Sequence, residues 1–121
     1  MPWFVKLEEG VVDRSRFDTH LHAHLAWIQR LEQLGHRPST GYWGERKGMN
    51  RAGAGGMLLF VARDRAEAEA IVLGDPLIQT GCVRWVLHEW RIVAGELRGD
   101  GPPTGPGAES TTGGATCGPE P

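Results

Sequence analysis

Between Asp13 and Gly35 the apolar side chains Phe17, Leu21, Leu25, Ile28 and Leu31 recur at spacings of four, four, three and three. At about 100° per residue this spacing lays them along one stripe of a helix. A strand of that length would be abnormal, and both ends carry helix punctuation. Asp13 and Ser15 are acceptable N-caps, Asp18 completes a Ser-x-x-Asp variant of the capping box with Ser15, and Gly35 suits the C′ position. His24 falls in the middle of the stripe. His20 lies one turn earlier at its edge, and His22 points away from both.

The same run contains Asp18-Thr19-His20-Leu21-His22. In a strand these letters would match the D-x-H-x-H metal motif of the amidohydrolase barrels, with alternation aiming both histidines at one ion. Such a barrel needs about 250 residues, and this chain has 121. On a helix only His20 and His24 share a face, an i, i+4 pair without the third protein ligand of a catalytic zinc, and no H-E-x-x-H motif is present. Neither a metal nor any other cofactor is expected.

Composition narrows the partners. Residues 1–97 hold twelve Lys and Arg against twelve Asp and Glu, with no long run of either sign, which argues against a nucleic-acid partner. No apolar run is long enough for a membrane span or a signal-peptide core, so the expected setting is the cytoplasm. The two cysteines, Cys82 and Cys117, lie in different kinds of sequence, so a disulfide between them is not expected. From Gly99 to Pro121 there is no Leu, Ile, Val, Met or aromatic residue. Such a segment buries too little apolar area to offset its ordering entropy. The chain therefore divides into one domain, residues 1–97, and a disordered Gly/Pro-rich tail, residues 98–121.

Within the domain the predicted order is strand, helix, strand, strand, helix, strand. Pro2 to Glu8 reads as a β-favouring stretch ended by Gly10, and Arg37 to Gly44 as a weaker strand. Glu45 to Gly56 reads as a glycine-containing basic loop. Its Arg46, Lys47 and Arg51 do not make a phosphate cradle, because the glycines precede a strand and not a helix N-terminus. Met57 to Ala62 is a continuous apolar run, Asp64 opens a second helix with Glu67 at N3, and Gly74 stops it. Ala68, Ile71 and Val72 form the apolar edge of that helix. Val83 to Val93 is the last strand.

The order βαββαβ is that of an α+β, ferredoxin-like fold, an antiparallel sheet with both helices on one face. The other face has no helix to cover it, yet it is expected to carry apolar residues such as Val86 and Trp90. An exposed apolar sheet of that size marks an interface, and pairing two of them gives a two-fold homodimer.

His24 has two readings. A histidine on a core-facing stripe is often a packed, hydrogen-bonded imidazole. In this fold, however, the two helices lie side by side, which brings Asp75, at the end of the second, within reach of the first. A carboxylate bonded to one ring nitrogen orients the imidazole for general-base work. Asp75-Pro76 is also an ordinary turn opener. The aromatic residues Trp27, Tyr42, Trp43, Trp85 and Trp90 read mostly as core or interface, with one or two available to line a pocket for a flat ligand.

The segments His24 to Gly35, Thr40-Gly41, Gly56 to Ala62, Ala66 to Ala70 and Asp75 to Gly81 resemble the YciI-like (YCII-related) family. The resemblance covers most of residues 3–93. It implies a dimeric α/β barrel and a His/Asp active centre mapping onto His24 and Asp75. It also implies lyase, dehydrohalogenase or isomerase activity on small aromatic-pathway compounds. The chain departs from the family pattern at Leu21, Tyr42 and Leu77, where arginine, proline and an aromatic residue are usual.

The expected function is cofactor-free proton-transfer chemistry, elimination or isomerisation, on a small organic acid or phenol. His24 would be the general base and Asp75 its orienter. The alternative is a non-catalytic dimeric small-ligand-binding or accessory protein with the same pocket. Whether His24 borders an open cavity beside Asp75 discriminates the two.

Overall fold

A computed structural model describes residues 1–45 and 55–97 of the chain. The basic stretch with Arg46, Lys47 and Arg51, Cys117, and the 98–121 tail lie outside the described residues. Four strands and three helices follow one another as β1 (Trp3–Gly10), α1 (Arg14–Gln33), β2 (Ser39–Tyr42), β3 (Gly55–Val61), α2 (Arg65–Val72), α3 (Pro76–Gln79) and β4 (Val83–Trp90). The sheet order is β2-β3-β1-β4, and every neighbouring pair is antiparallel. This is the ferredoxin-like α+β arrangement, with β1 at the centre of the sheet.

Helix α1 starts where the sequence places it, with Asp13 as N-cap accepting from the Arg16 N–H at 2.9 Å. Ser15 is not the cap. Its hydroxyl instead donates to the Asp13 carboxylate at 2.9 Å, so the Ser15/Asp18 box does not form. The helix ends on Leu34, and Gly35 takes the left-handed φ of 88° that a C′ residue requires. Its buried residues are His24, Trp27 and Leu31. The buried stripe passes through Trp27, which the apolar spacing does not include. Leu25, expected on that stripe, lies at its far edge and is exposed.

The α2 N-terminus is capped by Asp64, whose carboxylate accepts from the Glu67 N–H. The Glu67 carboxylate reaches back to the Arg63 N–H, one residue earlier than a standard capping box. After Gly74 the chain does not pass directly into a turn, as the sequence suggests, but makes the four-residue helix α3 with Asp75 as N-cap and Pro76 in its first turn. Strand limits also shift: β1 runs on to Gly10, β2 is confined to Ser39–Tyr42, β3 already begins at Gly55, and β4 stops at Trp90.

The core lies between the helices and one face of the sheet. Phe4, Leu58, Phe60 and Leu87 from the strands meet Trp27, Leu31, Ala68 and Val72 from the helices. The Phe4 and Phe60 rings stack across paired strands with centroids 6.0 Å apart. Each such ring contributes roughly 1.5–3 kcal/mol on burial. A second cluster of Leu77, Cys82 and Val83, joined by Val12 and Phe17, fixes α3 against α1 and the start of β4. Cys82 is a buried free thiol. Among the described residues no helix is long and apolar enough to cross a membrane.

Candidate active site

Three elements bring a connected set of charged side chains into the interior. Lys6 projects from the centre of β1 on the helix-covered face, between Leu58 and Leu87 on the flanking strands. It is fully buried, as is Asp75 at the junction of α2 and α3. Two buried charges of opposite sign are tolerable when they pair and their remaining valences are hydrogen-bonded. Here they do both.

The Lys6 ammonium donates to Asp75 Oδ2. Asp75 Oδ1 accepts from the Leu77 N–H at 3.0 Å and from His24 Nδ1 at 2.8 Å. One carboxylate thus caps α3, neutralises a buried lysine and holds an imidazole on α1. Close approach of the α2 end to α1 is permitted by Gly74, where a Cβ would stand 3.3 Å from Trp27 Nε1. The His24 ring sits 5.8 Å from the Trp27 ring, centroid to centroid, and Lys6 Nζ is 5.9 Å from that indole.

Burial pushes the Asp75 carboxyl upward. The His24 hydrogen bond and the Lys6 charge outweigh burial and hold it below its ordinary range. An ionised carboxylate only accepts, so Nδ1 carries the hydrogen of this bond. Neutral His24 therefore keeps its lone pair on Nε2. That nitrogen lies 3.4 Å from Thr40 Oγ1, a long contact that leaves it weakly engaged.

His24 and Thr40 both border a cavity of about 380 Å³ between α1 and the sheet. Its apolar wall is formed by Phe17, Leu21 and Leu25 of α1, Tyr42 of β2 and Leu77 of α3. Its polar positions include Glu8 on β1 and, on α1, Arg14 and Asp18. Glu8 Oε1 is 2.8 Å from Lys6 Nζ, a second ion pair to the same ammonium.

The structure brings together the two residues selected from sequence, His24 and Asp75. His20 is half-buried, His22 is exposed, and no group of three metal-ligating side chains occurs among the described residues. Sequence reading missed Lys6 and Glu8. The signal for them was a buried aspartate that needed a cation and a central strand whose polar positions share a face with Phe4.

The model of the YCII-related domain matches residues 4–91. No curated protein matches the chain in sequence. Among solved structures, it is similar to 5-chloro-2-hydroxyhydroquinone dehydrochlorinase from Burkholderia phenoliruptrix, solved in complex with 2,5-dihydroxybenzoquinone. The two are 18% identical over 74% of this chain and 93% of that one, with a TM-score of 0.55. That likeness is one of fold. The family match spans the sheet, the three helices and both members of the His24–Asp75 pair, and the chain belongs to the YCII-related domain family.

Proposed function

We propose that the chain is a small-molecule enzyme that moves a proton without a cofactor, carrying out elimination or isomerisation on a small organic acid or phenolic compound. The observation that carries this reading is the His24–Asp75 hydrogen bond beside a cavity that His24 itself borders. In the proposed reaction His24 Nε2 takes a proton from an acidic O–H or C–H of the ligand. The electron pair left behind moves into the conjugated system. In an elimination it expels a leaving group with its bonding pair; in an isomerisation the imidazolium returns the proton at a different carbon. Asp75 stabilises the imidazolium, and Lys6 keeps Asp75 ionised, so that the proton stays on His24.

Relatives in fold support the class of chemistry: the dehydrochlorinase named above acts on a chlorinated hydroxyhydroquinone. Leu21, Tyr42 and Leu77, the three departures from the family pattern, all line the cavity. The proposed ligand accordingly differs from those of other members. The proposed active form is a homodimer joined through the helix-free face of the sheet, where Met57, Val86 and Trp90 are exposed.

The test follows chloride release and solvent-deuterium incorporation with chlorinated and unsubstituted hydroxyphenols. His24→Ala is expected to lower the rate about 10²-fold to 10⁴-fold, the usual general-base contribution. Asp75→Asn is expected to slow it while keeping the side chain's shape. Equal rates in the parent and His24→Ala proteins would leave a non-catalytic binding protein as the better account.

A further inference from the structure

We propose that the Thr40 hydroxyl donates a hydrogen bond to a ligand oxygen, and that Thr40 and His24 together select a hydroxyl group as the acid that gives up its proton. The proposal rests on the reading of His24 as the base beside this cavity and narrows its substrate class to phenols and enols that react at O–H.

Strand pairing puts Thr40 beside the base. Thr40 lies opposite Leu58 of β3, and Leu58 lies opposite Lys6 of β1, so the three share one row on the helix-covered face. The His24 ring is flanked along that row. On its Nδ1 side is Asp75, held by Lys6, and on its Nε2 side is Thr40 Oγ1 at 3.4 Å. Strand β2 is at the edge of the sheet, and Thr40 is exposed and borders the cavity, where a ligand can reach it.

The Thr40 proton is also less committed than those of other threonines. Thr19 and Thr80 donate to the main-chain carbonyls of Ser15 and Pro76 at 2.9 and 2.7 Å. Among the described residues the partner of the Thr40 hydroxyl is Nε2, at a distance too long for a strong bond.

A ligand hydroxyl both donates and accepts, and this corner of the cavity offers one group of each kind. Neutral Nε2 accepts the ligand proton, while the Thr40 O–H donates to the ligand oxygen. An oxygen about 2.8 Å from each closes a triangle on the 3.4 Å edge between them, so the two bonds are compatible. As the proton passes to Nε2, the electron pair of the broken O–H bond stays on the ligand oxygen. Thr40 stabilises that growing charge and keeps its own proton. Arg14, the cationic lining residue, precedes His24 by ten positions on α1, about 15 Å along the helix axis, beyond the combined reach of the two side chains.

The experiment uses the full chain and two probes of matched shape, para-fluorophenol and para-fluorotoluene, which differ by a hydroxyl in place of a methyl. Dissociation constants come from titrations followed by fluorine NMR. In the parent protein the phenol is expected to bind about tenfold or more tighter than the toluene, the scale of two hydrogen bonds. Thr40→Val, which keeps the branched shape and removes the hydroxyl, should reduce that ratio about threefold to tenfold, the share of one bond. Thr40→Ser, which restores the hydroxyl without the methyl, should return the ratio to the parent value; Thr40→Ala serves if Thr40→Val fails to fold. An unchanged ratio in the variant without the hydroxyl, or a Thr40→Ser ratio as low as that variant's, would overturn the proposal. So would a parent protein that does not bind the phenol or does not prefer it.

Failure here is separable from failure of the catalytic reading. A preference that depends on the Thr40 hydroxyl, with no His24-dependent turnover, leaves a hydroxyl-selecting site in a binding protein. His24-dependent turnover with the preference intact in Thr40→Val keeps the enzyme and removes Thr40 from its specificity.

Discussion

On the face of the sheet that the helices cover, β1 presents Phe4, Lys6 and Glu8; on the opposite face it presents Val5 and Leu7, beside Met57 and Leu59 of β3 and Val86 of β4. An isolated protomer would ordinarily turn Lys6 and Glu8 outward and Val5 and Leu7 inward. The inversion teaches what each face is for. Charges are tolerated under the helices because Asp75 and His24 complete a bonded set with Lys6. Aliphatic residues on the bare face have no such completion within the protomer, and a second protomer is the proposed one.

The comparison breaks most visibly at Asp75. Asp75→Ala leaves Lys6 buried with Glu8 as its remaining ion-pair partner and also removes the α3 cap. Breaking a buried pair from one side costs about 3–5 kcal/mol, and denaturant unfolding should register a loss of that size. A loss below about 1 kcal/mol, the scale of an exposed ion pair, would mean that the covered face does not depend on its charges being matched.

Next in size is the bare face. Val86 is 52% exposed in the protomer. A substitution to Asp at such a surface position ordinarily changes stability by less than about 0.5 kcal/mol. If the face is an interface, Val86→Asp should instead convert a dimer into a monomer and make the parent protein, but not the variant, melt at a temperature that rises with concentration. Light scattering on both proteins checks this. A parent protein that is already monomeric and stable would erase the functional contrast between the faces.

Smallest is the acid response. The Asp75 carboxyl is held below its ordinary value of 3.8 in the folded protein. Its contribution to stability is therefore present above that value and is lost as pH falls from there through the lower folded value. Denaturant unfolding at pH 6 and at pH 3 should show a pH-dependent component that is absent in Asp75→Asn. The same dependence in both proteins would place the acid-sensitive group elsewhere.

Much of the fold follows from local signals that the structure then uses. The Asp13 and Asp64 caps, the Gly35 stop and the 3.6-residue stripe are complete within a few residues of chain, and they specify α1 and α2 without tertiary help. His24 and Asp75 were legible because the stripe fixes one and the βαββαβ order fixes the other. Three features were not legible, each for a different reason. Helix α3 is four residues long, too short to show a period. Leu25 was misplaced because apolar spacing weights every residue equally, whereas the buried face runs through His24, Trp27 and Leu31. Lys6 and Glu8 obey strand alternation, but alternation says which residues share a face and not which face is inside. Polarity alone favours the outside; pairing with the buried Asp75 holds Lys6 inside.

The bonds that build the site join positions far apart in the chain: Lys6 to Asp75 spans 69 residues and His24 to Asp75 spans 51. Closing such long loops carries an entropic penalty that cooperative packing of several elements recovers. The charged cluster therefore cannot exist in a partly folded chain that has formed α1 alone or the β1–β3 pair alone. A signal specific to the His24–Asp75 bond, such as its downfield Nδ1 proton resonance, would report that α1 and the α2–α3 junction have come together, which neither element signals alone.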